Sequence, residues 1–400
     1  MSRLLERKSG AARSVPGVDR PIRVLAVDHT VGVAPFRKKF EALAARDDVE
    51  LTVLAPERWI ENYRVVEAPA EGDGFSVLRG RVIFPGYNNR AFFVSGLAGA
   101  IRATRPDILD LYEEAFSLFF LQAAVLGRLL APGARIAFHA SDSLSWGNRY
   151  PYRPSWLYAT IQRYAHRVAT AAFTINEVAG EILRSKGFRR PIVRAFHGVD
   201  ESEFRPLDAS ELRSRLGLGG PIVGYVGRLI RKKGVNVLVE AAARMDPRPS
   251  LLIVGDGEER DALVAQAREL GIEETTRFLP AVPHEEVPLY LSAMDVMVLP
   301  SIRSRDFNEP FGRVLVEAMA CGVPVVGTTC GSMGLVLGDA GLLVPDGDAA
   351  AIAEAVASLV EDPGRRAELS RLGRERVIER YTWRRFAEII REGYETILRS

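Results

Sequence analysis

Short apolar runs rich in Val, Ile and Leu recur along the chain, and between them lie longer stretches whose apolar residues fall at helical spacing. An unbroken apolar run bounded by turn residues reads as a strand buried on both faces, as in parallel sheets. Such runs predict strands at 22–27, 50–54, 76–84, 108–111, 135–139, 173–175 and 191–195. Phe36, Phe40, Leu43 and Ala44 form the core-facing stripe of an intervening helix. After a polar stretch bearing Pro and Gly at 201–220 the pattern restarts, with strands predicted at 222–226, 251–254, 276–279, 295–299, 323–327 and 341–344. Helices are predicted at 349–360, 363–379 and 383–398, the last with apolar Phe386, Ile389, Ile390 and Ile397.

Strands alternating with helices argue for parallel sheets with helical crossovers. The expected fold class is α/β: two Rossmann-like α/β domains facing a cleft, with the C-terminal helix packing back on the N-terminal domain. The expected boundaries are a disordered tail at 1–20, an N-terminal domain at 21–200, a linker at 201–220, a C-terminal domain at 221–380 and a crossover helix at 381–400. A length of 400 residues agrees, since one core usually serves ~100–200. With 47% hydrophobic and 26% charged residues, the composition is that of an ordinary globular protein. The 53 basic and 51 acidic side chains leave a formal charge of +2, which argues against a bulk nucleic-acid binder. Cys321 and Cys330 form neither a metal-ligand pattern nor a disulfide framework and read as core residues. The first 20 residues lack the apolar centre of a signal peptide, and no run reaches the ~20 apolar residues of a membrane span, so the expected location is the cytoplasm.

The densest chemistry lies in NEPFGRVLVEAMACGVPVV at 308–326. Glu309 precedes Phe311-Gly312 at the expected start of a helix, and Glu317 falls two turns on, ~12 Å at 1.5 Å per residue. A helix N-terminus offers unpaired N–H groups to a diphosphate, and carboxylates on either side can accept from sugar and ribose hydroxyls. The bland alternative is an amphipathic helix with two incidental acids. Upstream, Val226-Gly227-Arg228 and Lys232-Lys233-Gly234 put a cationic pair at the end of the expected strand 222–226. Such a pair suits the negative charge that grows on a departing diphosphate, though it also fits a solvated basic loop. Spacing alone leaves open which of Lys232 and Lys233 points inward.

These elements resemble the retaining GT-B glycosyltransferases of glycosyltransferase family 4, the group 1 glycosyl transferases, whose hallmark is this glutamate pair in an E-P/Q-F-G…E-A-M-A-C-G-x-P-V context. The resemblance is strongest over 190–350. It implies that Glu309, Arg228, Lys233 and His139 are the catalytic residues, and that Gly227, Glu317, Gly255, Gly257, Phe311, Gly312 and Gly32 bind the donor. It also implies a nucleotide-sugar substrate with no cofactor and no metal. Gly255-Asp256-Gly257 resembles the turn beside the base, although glycines there also serve tight turns. His139 resembles the histidine near the transferred sugar, with Ala140 standing where many relatives carry Asp. Gly32 is what remains of a glycine-rich loop after the first strand. No Glu follows Cys330 where the family usually has one, leaving backbone N–H groups of Gly331 to Leu335 to cradle phosphate.

Asp346-Gly347-Asp348 is the nearest candidate for a metal motif, but a turn and an N-cap explain it as well. Glu113 and Glu114 follow the strand at 108–111, where either would serve as an acceptor-side base or remain a solvated acid. Trp146, Tyr150, Tyr152, Trp156 and Tyr158, mixed with Arg149, Arg153, Arg163 and Arg167, and the run Arg37-Lys38-Lys39, suit a membrane interface, an acceptor pocket or plain packing.

The reading that follows is a metal-independent retaining transferase moving a sugar from a nucleoside-diphosphate donor to a hydroxyl. Its acceptor would be a glycan, a lipid-linked or a small molecule, in cell-surface polysaccharide or glycoconjugate biosynthesis, with peripheral contact at the inner membrane face. The alternatives are a nucleotide-sugar epimerase and a non-catalytic sugar-nucleotide-binding or scaffold subunit. A dinucleotide oxidoreductase is disfavoured because no G-x-G-x-x-G follows either domain's first strand.

Overall fold

The computed structural model describes residues 20–61, 64–141 and 152–399. The expected tail, apart from Arg20, lies outside the described residues, as do Trp146, Arg149 and Tyr150. The first sheet has seven parallel strands: β1 (Ile22–Val27), β2 (Val49–Pro56), β3 (Ser76–Gly80), β4 (Ile108–Leu111), β5 (Arg135–Ala140), β6 (Ala171–Thr174) and β7 (Ile192–Arg194). The second has six: β8 (Ile222–Val226), β9 (Ser250–Val254), β10 (Thr276–Leu279), β11 (Val296–Leu299), β12 (Val325–Thr328) and β13 (Leu342–Val344). The orders are β7-β6-β5-β4-β1-β2-β3 and β10-β9-β8-β11-β12-β13. Both follow the doubly wound 3-2-1-4-5-6 pattern, which opens a crevice at the carboxyl ends of the central strands. Val24 of β1 pairs with Leu51 on one side and Ile108 on the other, fixing that crevice beside Asp28 and Tyr112.

Three helices place the functional side chains: α1 (Ala34–Ala44), α2 (Arg313–Ala320) and α3 (Trp383–Arg399). In α1, Phe40 and Leu43 are fully buried against the first sheet. α3 returns to that same sheet, with Trp383, Phe386, Ile390, Tyr394 and Ile397 packed into one core with Ile22, Phe40 and Phe173. Each such side chain stabilises the packing by ~1.5–3 kcal/mol. Arg391 of α3 also reaches back to Asp48 at 2.8 Å.

Two expectations change. The stretch 76–84 is not one strand: it leaves the sheet at Gly80, and Val82–Ile83 instead pairs antiparallel with Phe92–Phe93. The apolar run continues because the outer ribbon also needs β-forming residues. The stretch 201–220 is not a bare linker, since it holds the helix Ser210–Leu216 and buries Phe204, Ala209, Leu212 and Leu218 in the second core. Four scattered apolar residues among Pro, Gly and charge do not announce themselves as core.

Candidate active site

The second sheet supplies one wall. After β8, the Gly227 N–H is spent on the Val254 carbonyl at 3.0 Å, and the Tyr225 hydroxyl donates to the Arg228 carbonyl at 2.8 Å. These bonds pin the loop that follows the strand and leave the Arg228 side chain exposed at the cleft. A short turn, Arg231–Lys233, then ends at Gly234 with φ 67°. A Cβ at Gly234 would collide with the Pro300 carbonyl, so glycine is what lets this turn sit against the end of β11. The closeness sets Lys233 Nζ 2.6 Å from Glu309 Oε2, which also accepts from Ser301 Oγ at 2.8 Å. Lys232 points away to Asp306 at 3.3 Å, which resolves the choice between the two lysines.

Gly312, at φ 76°, turns the chain into α2. Phe311 just before it is buried among Phe196, His197 and Tyr381, so the segment carrying Glu309 is anchored by aromatic packing. In the second turn of α2, Glu317 Oε1 accepts from Arg313 Nε at 2.8 Å. Gly227, Arg228, Lys233, Glu309, Phe311, Gly312 and Glu317 thus share the wall of one cavity of about 530 Å³.

Other candidates are placed elsewhere. Gly255 and Gly257 lie where a Cβ would strike the backbone carbonyls of Gly227 and Leu229, so they let two loops pack together and do not line the cavity. Gly32 rests beside the Glu67 carbonyl, outside both cavities of the cleft. In the phosphate cradle expected at Gly331 to Leu335, the Ser332 N–H is bonded to the Glu309 carbonyl and the Leu335 N–H to Ser332, both at 3.0 Å. Asp346 accepts from the Arg303 N–H and the Thr329 hydroxyl, and Asp348 caps the Ala351 N–H at 2.9 Å, so that pair builds a turn and an N-cap. Among the described residues no group of three His, Cys, Asp or Glu side chains is placed to hold a metal ion.

The first sheet supplies the facing wall, around a second cavity of about 410 Å³. Phe36, Ser141, Ile175 and His197 line both, so the cavities meet. Here charges come in buried pairs. Asp28, with no exposed surface, is ion-paired with Lys39, and Glu113 Oε1 lies 2.7 Å from His29 Nδ1. Burial alone would raise the Asp28 carboxyl, but Lys39 and His29 outweigh it and hold the group below its usual range. Burial would likewise lower the His29 imidazole, yet Glu113 and Asp28 raise it. Glu114 accepts from the Ser141 N–H at 2.7 Å and hydroxyl at 2.9 Å. His139 lies in this cavity, its Nε2 3.1 Å from Asp110 Oδ1 and its ring stacked on Tyr112 at 3.8 Å. His197, at the junction, is pushed down to about 3, first by burial and then by the charge of Lys39, so it stays neutral.

The basic run in α1 is not a free surface. Lys39 is the buried partner of Asp28, and Lys38 bridges Glu41, Asp200 and Glu203. Trp156 is 68% exposed, whereas Tyr158 is buried and accepts from Asn89 at 3.0 Å. No helix among the described residues is long and apolar enough to cross a membrane. Residue patterns did not single out Asp110, His197 or Tyr394, and marked Lys39 only as part of a basic run.

Comparison with known proteins agrees with this geometry. Residues 209–376 match the family model described as glycosyl transferases group 1. The fold is GT-B: the chain superposes on Anabaena HepE, solved with UDP, at TM-score 0.72 and 22% identity, covering 93% of this chain and 99% of that one. Sucrose-phosphate synthase of Thermosynechococcus elongatus gives TM-score 0.70 at 22% identity, over 94% and 98%. Among curated relatives, the 2-deoxystreptamine glucosyltransferase of Streptomyces kanamyceticus is 27% identical over 78% of this chain and 83% of its own length. The D-inositol 3-phosphate glycosyltransferase of Nocardia farcinica is 37% identical over 50% of this chain and 46% of its own. These matches support the class of GT-B glycosyltransferase.

Proposed function

We propose that this protein is a retaining glycosyltransferase that moves a sugar from a nucleoside diphosphate to a hydroxyl of a small acceptor, without a metal. The observation that carries the reading is the Lys233–Glu309 pair at 2.6 Å beside Arg228 and the N-terminus of α2. A diphosphate entering there takes up Lys233 and Arg228, whose cationic groups stabilise the charge left as the glycosidic C–O bond breaks. That releases Glu309 to accept from a sugar hydroxyl, while Glu317 accepts from ribose. Retention follows from attack on the face of departure, with the leaving phosphate oxygen receiving the acceptor's proton. The two cations and the helix N-terminus supply the electrostatics that a metal would otherwise supply.

On the acceptor side, a cavity of about 410 Å³ lies at the small end of ligand sites, ~300–1,000 Å³, which favours a single ring over an extended glycan. The two curated relatives named above are a 2-deoxystreptamine glucosyltransferase and a D-inositol 3-phosphate glycosyltransferase, which fits an acceptor of that size. Asp28, Glu113 and Glu114 in the wall favour an amine-bearing or neutral polyol. The test is a thermal-shift screen in EDTA against UDP, GDP, ADP, dTDP and their sugars. Next come diphosphate-release assays with 2-deoxystreptamine and inositol phosphate, and the anomeric configuration of any product by NMR. Stabilisation by one nucleotide family supports the donor site. Stabilisation by none overturns it in favour of a scaffold subunit.

A further inference from the structure

We propose that Tyr394, on the helix returning from the second domain, is a positioning residue for His139. Through Asp110, its hydroxyl holds the imidazole in the tautomer that keeps Nδ1 a hydrogen-bond acceptor at the smaller cavity. The Tyr394 hydroxyl donates to Asp110 Oδ2 at 2.7 Å, and the other carboxylate oxygen faces His139 Nε2 at 3.1 Å. Asp110 and Tyr394 have no exposed surface, so water does not replace either partner. Burial, and then the charge of Asp110, push the Tyr394 phenol well above its usual range, so it stays a donor at any working pH.

A carboxylate offers only acceptors. The oxygen facing Nε2 calls for a proton there, the Tyr394 O–H keeps the carboxylate from turning away, and in the uncharged form of the ring the lone pair then lies on Nδ1. The ring is held between Tyr112 at 3.8 Å and Phe173 at 4.9 Å, and Phe173 packs edge-on against Tyr394 at 6.1 Å. A Cβ on Gly393 would come within 2.5 Å of the Phe173 ring, so helix and stack meet with no room between them. Phe386, two turns earlier on the same helix, lines the cavity itself. The relay therefore ties the last helix to the chemistry of the first domain. An acceptor lone pair at Nδ1 receives an O–H of the transferred sugar or of the acceptor. Only that final step rests on the transferase reading; the bonding does not.

The deciding experiment is two-bond ¹⁵N–¹H spectroscopy of the imidazoles, of which the chain has five. In the full-length wild type His139 is expected to show the Nε2–H pattern. In Tyr394→Phe, which keeps the ring packing, it is expected to become a tautomer mixture. Asp110→Asn, whose amide can donate to Nε2, is expected to turn it to Nδ1–H. On a donor identified by the thermal-shift screen, Tyr394→Phe should lower kcat about tenfold with KM little changed, the equivalent of one hydrogen bond. A wild-type Nδ1–H pattern, or a folded Tyr394→Phe protein with an unchanged pattern, overturns the proposal. A shifted tautomer with unaltered kcat overturns the positioning role. Failure of the wild type to turn over any donor while the pattern behaves as expected overturns the transferase reading instead.

Discussion

At the strand ends of the first sheet, Asp28 and Glu113 are buried against Lys39 of α1 and the partly buried His29, while at the ends of the second Arg228 stands exposed and Lys233 is 17% exposed beside Glu309. The strand order is the same in both, so topology does not set this difference; the loops after the strands do. A wall that carries acids and whose cations are already paired suits a ligand that arrives without negative charge. A wall with reachable cations suits an anion. One fold, used twice, thus divides the cleft into two chemistries.

The largest effect expected from breaking this contrast is on the open wall. Lys233→Ala should lower transfer by ~10²–10³, or ~2.7–4 kcal/mol of transition-state stabilisation, with the fold intact by circular dichroism. Glu309→Ala should act similarly. Unaltered turnover in a folded Lys233→Ala protein removes its role on the leaving group. On the closed wall the damage should be to stability. Lys39→Met strands the carboxylate of Asp28 and should cost ~3–5 kcal/mol in urea unfolding, whereas Lys232→Ala, whose partner is exposed, should change it by less than ~0.5 kcal/mol.

Acid should also act on the junction. The His197 imidazole is pushed from 6.5 down to about 3, so the unfolded chain binds a proton that the folded one refuses. Stability is full above pH 6.5 and falls as pH drops toward 3. Thermal midpoints should decline over that window, and His197→Gln should flatten the decline. The smallest effect is expected at the cysteines, which line neither cavity. Burial first, aided by Glu317 and Glu309, raises the thiols to about 12 at Cys321 and about 11 at Cys330, so neither should react with a thiol reagent in the native protein at pH 8.

Strands such as 22–27, 108–111 and 222–226 were legible to the residue, because a buried parallel strand is largely apolar on both faces and its ends are sharp. Glu309 and Glu317 could be read as one unit because their spacing is local, whereas Lys233, 76 residues from Glu309, could not be told from Lys232 by spacing. The pairs of the first wall were not. Asp110 lies 284 residues from Tyr394, and His29 lies 84 from Glu113, so chain pattern carries no trace of partners that only the fold brings together. Gly255 and Gly257 misled for the opposite reason, since a glycine needed for loop packing looks the same in sequence as one lining a ligand site.

Helix α3 makes the first domain hostage to the end of the chain. Its core holds Trp383, Phe386, Ile390 and Tyr394 beside Ile22 and Phe40, so that core stays open until residue 397 has been made. Domains otherwise tend to fold in order as they leave the ribosome. Here the domain synthesised first is the one that closes last, and a nascent chain stopped at residue 380 would carry an exposed apolar groove for a chaperone to cover.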